Sequence, residues 1–256
     1  MLMYSRWRPF LLILLISSVG CFQPEIPSVE QLARGYVLLL PGVESYGFHH
    51  LALVRGLREG GLDRAAQINE WGYKPFGTFP NLMSLELNRQ RAARLAGALA
   101  DYRKQYPKAP ISIVGYSGGG AIALFIAEAL PGEVVLDRII LLGAAISPQY
   151  DLGPALARTR CGIVNFYSES DWFMAGWATE TFGTMDRKKT STAGRTGFRD
   201  VQGALLEHDQ LVQVAWRREW RSLGHSGDHS GWRSQEWARA VLAPYLLKPC
   251  TQPAGN

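Results

Sequence analysis

The sequence predicts one α/β domain with a mostly parallel sheet of about six strands flanked by helices. Short apolar segments alternate with helical patterns from Tyr36 to Leu247, which is typical of strands joined by helical crossovers. One apolar segment, residues 111–114, ends in a glycine-rich turn and runs directly into an apolar helical pattern. The chain has 256 residues and 47% hydrophobic content, which is enough for one sizeable core, and no repeat indicates a second module.

The individual elements follow from the spacing of apolar residues and from turn signals. Residues 36–40 form an apolar run, as in a fully buried strand, and Pro41 and Gly42 end it. Residues 85–105 combine an apolar stripe with a charged face, which indicates an amphipathic helix. Pro244 is expected to kink the last helix. The remaining predicted strands are 65–69, 111–114, 136–142, 162–167 and 211–216, and the remaining helices are 48–58, 118–130, 152–158 and 234–247.

The N-terminus, residues 1–20, has the pattern of a secretory signal peptide. Arg6 and Arg8 precede an apolar stretch that is too short to span a bilayer comfortably. The residues before Cys21 resemble the lipobox of bacterial lipoproteins, although Ser18 stands where an aliphatic residue is usual. Lipidation of Cys21, with membrane anchoring, and simple secretion are both open, and either implies an exported protein of the periplasm or cell envelope. Residues 21–34 are then a tether to a domain at 35–248.

The net charge limits the kinds of partner that the protein is expected to bind. The net charge is +5, and Arg6 and Arg8 of the leader contribute two of these charges, so the rest is too small to indicate nucleic-acid binding. The basic and aromatic run at 216–221 is more typical of a solvated face.

Cys161 and Cys250 could pair in an oxidising compartment or stay independent thiols, and the sequence leaves both open.

The strand at 111–114 leads into Gly115-Tyr-Ser117-Gly-Gly119, a G-x-S-x-G motif. A serine on such a tight turn takes a strained backbone, and the flanking glycines relieve crowding. A serine hydroxyl is a poor nucleophile unless a histidine takes its proton and an acid orients that histidine. Asp171 follows the strand at 162–167, and His229 follows the strand at 211–216. The predicted catalytic residues are therefore Ser117, Asp171 and His229.

Each assignment has a simpler alternative. A G-x-S-x-G motif also arises by chance, and Asp171 next to serines suits a turn or helix cap. His225 lies four residues before His229 in the same glycine-rich loop, and we prefer His229 because it is nearer the final helix. His225, Asp228 and His229 are residue types that can bind zinc, but no further ligand from a distant part of the chain is evident. We therefore predict no metal site.

The order Ser, Asp, His and the placement of the three residues after strands resemble the α/β-hydrolase superfamily over nearly all of 36–247. The resemblance implies that the backbone N–H groups of Val43 and Gly118 form the oxyanion hole, with Gly42 or Glu44 as near alternatives to Val43, and that no metal or organic cofactor is needed. It also implies a short version of the fold, without two opening antiparallel strands. Only residues 147–160 fill the place where relatives insert a lid domain, so no large lid is expected.

The expected activity is cleavage of a carboxylic ester or thioester through an acyl-serine. Two aromatic segments, 71–80 and 172–177, could cover the site and form an apolar acyl pocket, or they could simply pack the core. If these segments form an acyl pocket, that pocket and the export signal together favour a small-molecule or lipid ester as substrate. The alternative from another class is a catalytically inactive binding protein with a hydrolase fold on the cell envelope.

Overall fold

The computed structural model describes residues 26–74, 77–171 and 183–250, which form a single six-stranded sheet. All strand pairs are parallel, and the order across the sheet is β2-β1-β3-β4-β5-β6. The strands are β1 Tyr36–Leu40, β2 Ala65–Ile68, β3 Ile111–Tyr116, β4 Arg138–Leu142, β5 Ile163–Tyr167 and β6 Leu211–Ala215. The predicted fold class is confirmed. The signal peptide, Cys21 and the predicted cover at 172–177 lie outside the described residues.

Helices connect the strands on both sides of the sheet. In chain order they are α1 Val29–Arg34, α2 Leu51–Glu59, α3 Thr78–Met83, α4 Leu85–Gln105, α5 Gly118–Ala129, α6 Gly153–Leu156, α7 Ala193–Thr196, α8 Gln235–Trp237 and α9 Ala243–Leu247. A 3₁₀ turn, Gly47–His50, precedes α2. None of the described helices is both long and apolar enough to cross a membrane.

The sheet divides the core into two layers, because successive side chains of a strand point to opposite faces. In β1, Leu38 and Leu40 belong to the layer under α4 and α5. Val37 and Leu39 belong to the layer that contains α2 and the C-terminal helices. Helix α5 is buried almost all round, which explains why its sequence is apolar on every face.

The strand order reverses between β1 and β3, because the chain moves first to one edge of the sheet and then to the other. Open parallel sheets have a crevice at the carboxyl ends of the two strands on either side of such a reversal. The turn after β1 and the turn after β3 therefore meet there. These turns carry Val43 and Ser117.

Two segments differ in detail from the expectation. Part of the region assigned to a tether is helical: α1 begins at a capping box in which Ser28 accepts the N–H of Gln31. The last helix is not uniformly α-helical, because a π-helical segment, Ala238–Leu242, lies between α8 and α9. Pro244 lies directly after this segment, in the first turn of α9.

Cys161 and Cys250 form a disulfide between the start of β5 and the residues after α9. Their Cα atoms are 5.1 Å apart. The carboxylate of Asp137 lies beside them, and each of its two oxygens accepts a hydrogen bond. One comes from Arg160 Nη1 at 3.1 Å and the other from the N–H of Ile111 at 2.8 Å. Of the two alternatives that the sequence left open, the structure has the paired cysteines.

His225 lies in an aromatic cluster formed with Phe166, Trp220, Trp232 and Trp237. Its ring is fully buried and packs edge-on against Trp232, with centroids 4.1 Å apart. Its Nδ1 accepts the N–H of Gly227 at 3.2 Å. Burial among these rings lowers the pKa of His225 to about 4, against a weaker opposing effect of Asp228. His225 is therefore a neutral core residue near pH 7.

Breaking the disulfide should destabilise the protein. The two cysteines are 89 residues apart in sequence. Without the bond the unfolded chain regains conformational entropy, so the free energy of unfolding should decrease by up to about 4.6 kcal/mol. Urea unfolding with and without reductant measures it. A Cys161→Ser, Cys250→Ser double variant is the control, because reductant should not change its stability. Equal stability of the oxidised and reduced proteins would contradict the prediction.

The free energy of unfolding should fall as the pH drops from about 6.5 towards 4. The unfolded chain binds a proton at His225 in this range while the folded protein does not, at a cost of up to about 1.4 kcal/mol per pH unit. Urea unfolding at a series of pH values tests this. His225→Gln should reduce the slope. An identical slope in His225→Gln would refute the assignment.

Candidate active site

Ser117 lies at the turn between β3 and α5, with positive φ (φ 53°, ψ −120°). Such a conformation costs about 1–3 kcal/mol in a residue that is not glycine, and is kept only where the surroundings enforce it. Here the helix starts very close to the strands: a Cβ on Gly115 would lie 2.5 Å from the Gly119 carbonyl oxygen, and one on Gly119 would lie 2.3 Å from that of Leu40. Both glycines of the motif are thus required by close backbone contacts.

His229 and Asp171 are in direct contact, with His229 Nδ1 2.5 Å from Asp171 Oδ2. Asp171 follows β5 and is buried, while about a tenth of the His229 side chain is exposed. A carboxylate on Nδ1 leaves the other nitrogen, Nε2, as the proton acceptor of a neutral ring. His229 Nε2 has no hydrogen-bond partner among the described residues, so it does not hydrogen-bond to Ser117 Oγ in this structure.

The loop that carries His229 is hydrogen-bonded to the residue that follows β5. Ser168 Oγ donates to the carbonyl of Gly227 at 2.6 Å. Asp228 then begins a 3₁₀ helix, His229–Arg233, by accepting the N–H of Gly231 at 3.0 Å. Asp171 and His229 are therefore held by neighbouring parts of one hydrogen-bonded unit.

Tyr116, the residue before the serine, joins the nucleophile turn to this loop. Its hydroxyl donates to the His229 carbonyl at 3.2 Å, and the two rings lie 4.9 Å apart between centroids. Burial raises the pKa of Tyr116, so its hydroxyl stays protonated. On its other side lies His50, a buried ring 5.0 Å away whose pKa is lowered to about 3, chiefly by burial. His50 is therefore a neutral packing partner.

Val43 and Gly118, the predicted oxyanion-hole residues, are adjacent. A Cβ on Gly118 would lie 2.5 Å from Val43 Cγ1 and 3.2 Å from the Val43 nitrogen. Neither N–H donates to another group in the described part of the chain. Two neighbouring free N–H groups, one of them at the start of α5, can stabilise negative charge on a substrate oxygen.

The three candidate ligands of the histidine loop lie in different surroundings. His225 lies in the aromatic cluster, Asp228 caps the 3₁₀ helix, and His229 contacts Asp171, so these three side chains do not converge on a metal. In 26–74, 77–171 and 183–250, the single group of three metal-ligand side chains is Asp137, Cys161 and Cys250 at the disulfide. A cavity of about 790 Å³ lies beside that disulfide, near the amino-terminal ends of β4, β5 and β6. Ser117 lies at the carboxyl end of β3 and is therefore on the other side of the sheet's strand ends.

Sequence reasoning missed three buried polar side chains next to the candidate site: Asn81, Asn88 and Arg91. They connect the segment before α4 to the turn that holds Val43. Asn88 and Arg91, three residues apart on the inner face of α4, were the available signal. In the predicted cover segment, Trp71 is buried whereas Tyr73 and Phe79 are exposed.

The sequence matches no protein-family model and has no significant match among curated proteins. Solved structures of similar shape include a Bacillus licheniformis lipase in its mature form, at 14% identity and a TM-score of 0.48, covering 87% of this chain and 94% of the lipase. Another is a carboxylesterase from Mesorhizobium loti, at 14% and 0.47, covering 84% and 90%. A third is an α/β serine hydrolase without a lid from Xanthomonas campestris, at 12% and 0.46, covering 91% and 88%.

The topology and the placement of side chains define the architecture. The sheet is parallel, a serine stands on a strained strand-to-helix turn, and an acid and a histidine follow later strands in that order. The chain therefore has the α/β-hydrolase fold.

Proposed function

We propose that the protein is a serine hydrolase that cleaves a carboxylic ester or thioester through an acyl-serine intermediate. The observation that carries the proposal is the contact between His229 Nδ1 and Asp171 Oδ2 at the same sheet edge as the strained Ser117. In this arrangement a histidine can act as a base towards a serine hydroxyl.

In the proposed reaction, His229 Nε2 takes the Ser117 proton while Ser117 Oγ bonds to the carbonyl carbon. The carbonyl oxygen becomes an oxyanion, which the N–H groups of Val43 and Gly118 stabilise. The C–O or C–S bond to the leaving group then breaks, and the imidazolium of His229 gives its proton to the departing alcohol or thiol. A water then loses a proton to His229 and bonds to the acyl carbon. The bond from this carbon to Ser117 Oγ breaks, and His229 returns the proton to Ser117 as the acid leaves.

The proposed substrate is a small-molecule or lipid ester with an apolar acyl group. Trp71 lies close to Gly118, since its Cζ2 atom would be 3.5 Å from a Cβ there, and exposed Tyr73 and Phe79 belong to the same segment. Aromatic walls with few polar groups favour apolar ligands. The mechanism as proposed uses no metal or organic cofactor, and nucleic acid is not a proposed partner.

We further propose that the protein is exported, with residues 1–20 as its signal peptide and Cys21 as a site of lipid attachment. The Cys161–Cys250 disulfide supports this location, because disulfides persist mainly in oxidising compartments. Lipidation of Cys21 would keep the protein in the periplasm or cell envelope.

An active serine should react with a fluorophosphonate probe. Wild type is expected to be labelled, because the probe phosphonylates an activated serine, and Ser117→Ala should take no label and lose nitrophenyl-ester turnover by about 10³-fold or more. In-gel fluorescence measures the labelling, and circular dichroism checks that both proteins are folded. A folded wild type without label would be the result expected of an inactive binding protein and would refute the proposal.

The two histidines of one loop provide a matched pair. His229→Ala should lower kcat for a nitrophenyl ester by about 10³-fold or more, because no base remains for Ser117. His225→Gln should keep most activity per folded molecule while lowering the melting temperature, because it changes only the aromatic cluster. Stopped or initial-rate assays, corrected for the folded fraction, separate the two. The opposite pattern would assign the base to His225.

A further inference from the structure

The turn from Pro41 to Ser45 has three consecutive carbonyl groups that each accept a hydrogen bond. Trp71 Nε1 donates to the Pro41 oxygen at 2.8 Å, and Asn81 Nδ2 donates to the Val43 oxygen at 2.8 Å. Between them, the Ser45 N–H donates to the Gly42 oxygen at 2.9 Å. The peptide units on both sides of the Gly42–Val43 unit are thus held by side chains from the segment before α4.

These bonds orient the N–H of Val43. The Gly42 carbonyl and the Val43 N–H belong to one planar trans peptide unit, so the N–H points away from the carbonyl that Ser45 holds. Rotation of this unit would require changes in the backbone angles of Gly42 and Val43. The bonds at the Pro41 and Val43 carbonyls oppose such changes. Ser45 is itself held, because its Oγ accepts the Gly72 N–H at 2.7 Å.

Asn81 is the centre of this arrangement. Its side chain is fully buried, and its Oδ1 accepts the Tyr73 N–H and Arg91 Nη1, both at 2.9 Å. With its oxygen bound to two donors, its amide nitrogen must face acceptors, and the Val43 carbonyl is one of them. Its backbone is held as well, since Asn88 Nδ2 donates to the Asn81 carbonyl at 2.6 Å.

Arg91 restricts the orientation of the Asn81 amide, because its Nη1 donates to Asn81 Oδ1. Its guanidinium also donates to Asn88 Oδ1 at 3.0 Å and lies 4.3 Å from the centroid of the Tyr73 ring. Arg91 is about 5% exposed and forms no ion pair with a described carboxylate. Arg91 Nη1 thus donates to both amide oxygens, which favours the orientation of the Asn81 amide in which Oδ1 faces Arg91, while Arg91 Nη2 has no hydrogen-bond partner among the described residues.

We propose that Asn81 and Trp71 are positioning residues that hold the Val43 N–H in the oxyanion hole. The inference rests on the proposed serine-hydrolase function and adds to it the residues that prepare the oxyanion site. All three carbonyls of the turn are bound, whereas the Val43 N–H, next to Gly118, has no acceptor in the described residues. Preorganised donors of this kind stabilise the transition state more than the ground state.

Asn81→Asp removes the donor to Val43 and keeps the volume and the oxygen that faces Arg91. Trp71→Phe removes the donor to Pro41 and keeps an aromatic ring. Each is expected to lower kcat for a nitrophenyl ester by about 10- to 100-fold, less than the loss of a whole oxyanion donor. KM should stay within about twofold in Asn81→Asp, because Asn81 does not line the proposed acyl pocket. Affinity for an alkyl boronic acid, which forms a tetrahedral adduct on the serine, should fall by the same factor as kcat/KM.

Thr159→Val is the matched control. It removes another buried side-chain donor to a carbonyl, Thr159 Oγ1 to the Leu156 oxygen at 2.9 Å, far from the site. It should change kcat and boronate affinity by less than about twofold, while its loss in melting temperature is similar to that of the two test variants. The pH dependence of kcat should be the same in Trp71→Phe and Thr159→Val as in wild type, because these changes leave His229 in place and add no titratable group.

The outcomes separate this inference from the proposed function. If wild type is labelled by fluorophosphonate and Asn81→Asp and Trp71→Phe keep kcat and boronate affinity within about twofold of Thr159→Val, the positioning role is overturned and the hydrolase function stands. If wild type itself takes no label and hydrolyses no ester, both fall together. Loss of kcat with an unchanged boronate affinity also overturns the positioning role, because a misplaced donor must weaken the tetrahedral adduct.

Discussion

The close contact between the start of α5 and the end of β1 is the constraint on which the site depends. Side chains at Gly115 and Gly119 would collide with backbone atoms of the helix and of β1. Because the helix begins this close to the strands, Ser117 takes a positive φ, and Gly118 meets Val43. One steric requirement thus places both the serine and the two free N–H groups at a single point of the sheet edge.

The surroundings of this point are held by buried hydrogen bonds between distant parts of the chain. Tyr116 and Ser168 fasten the histidine loop, while Trp71 and Asn81 fasten the turn after β1. Buried hydrogen bonds of this kind restrict the arrangements that the connected segments can adopt. Such restraint suits a mechanism based on preorganised donors.

Much of this could be predicted from the sequence. The buried run at 36–40 and the turn signal at Pro41-Gly42 locate β1, and the glycine pattern around Ser117 identifies the strand-to-helix turn. The role of Asn81 could not be predicted, because its partners Val43 and Arg91 are 38 and 10 residues away in sequence. Nor could the pairing of Cys161 with Cys250, since no local pattern measures the distance between two cysteines.

By itself the sequence determined the elements and their order, because apolar periodicity and glycine and proline placement act over a few residues. It also placed Ser117, Asp171 and His229 after strands that must end at one edge of a parallel sheet. Only the tertiary structure decided between the two histidines of the loop. His225 and His229 have similar local sequences, but one is enclosed by tryptophans and the other touches Asp171. Burial and hydrogen-bond partners come from segments far apart in the chain, so only folding reveals them.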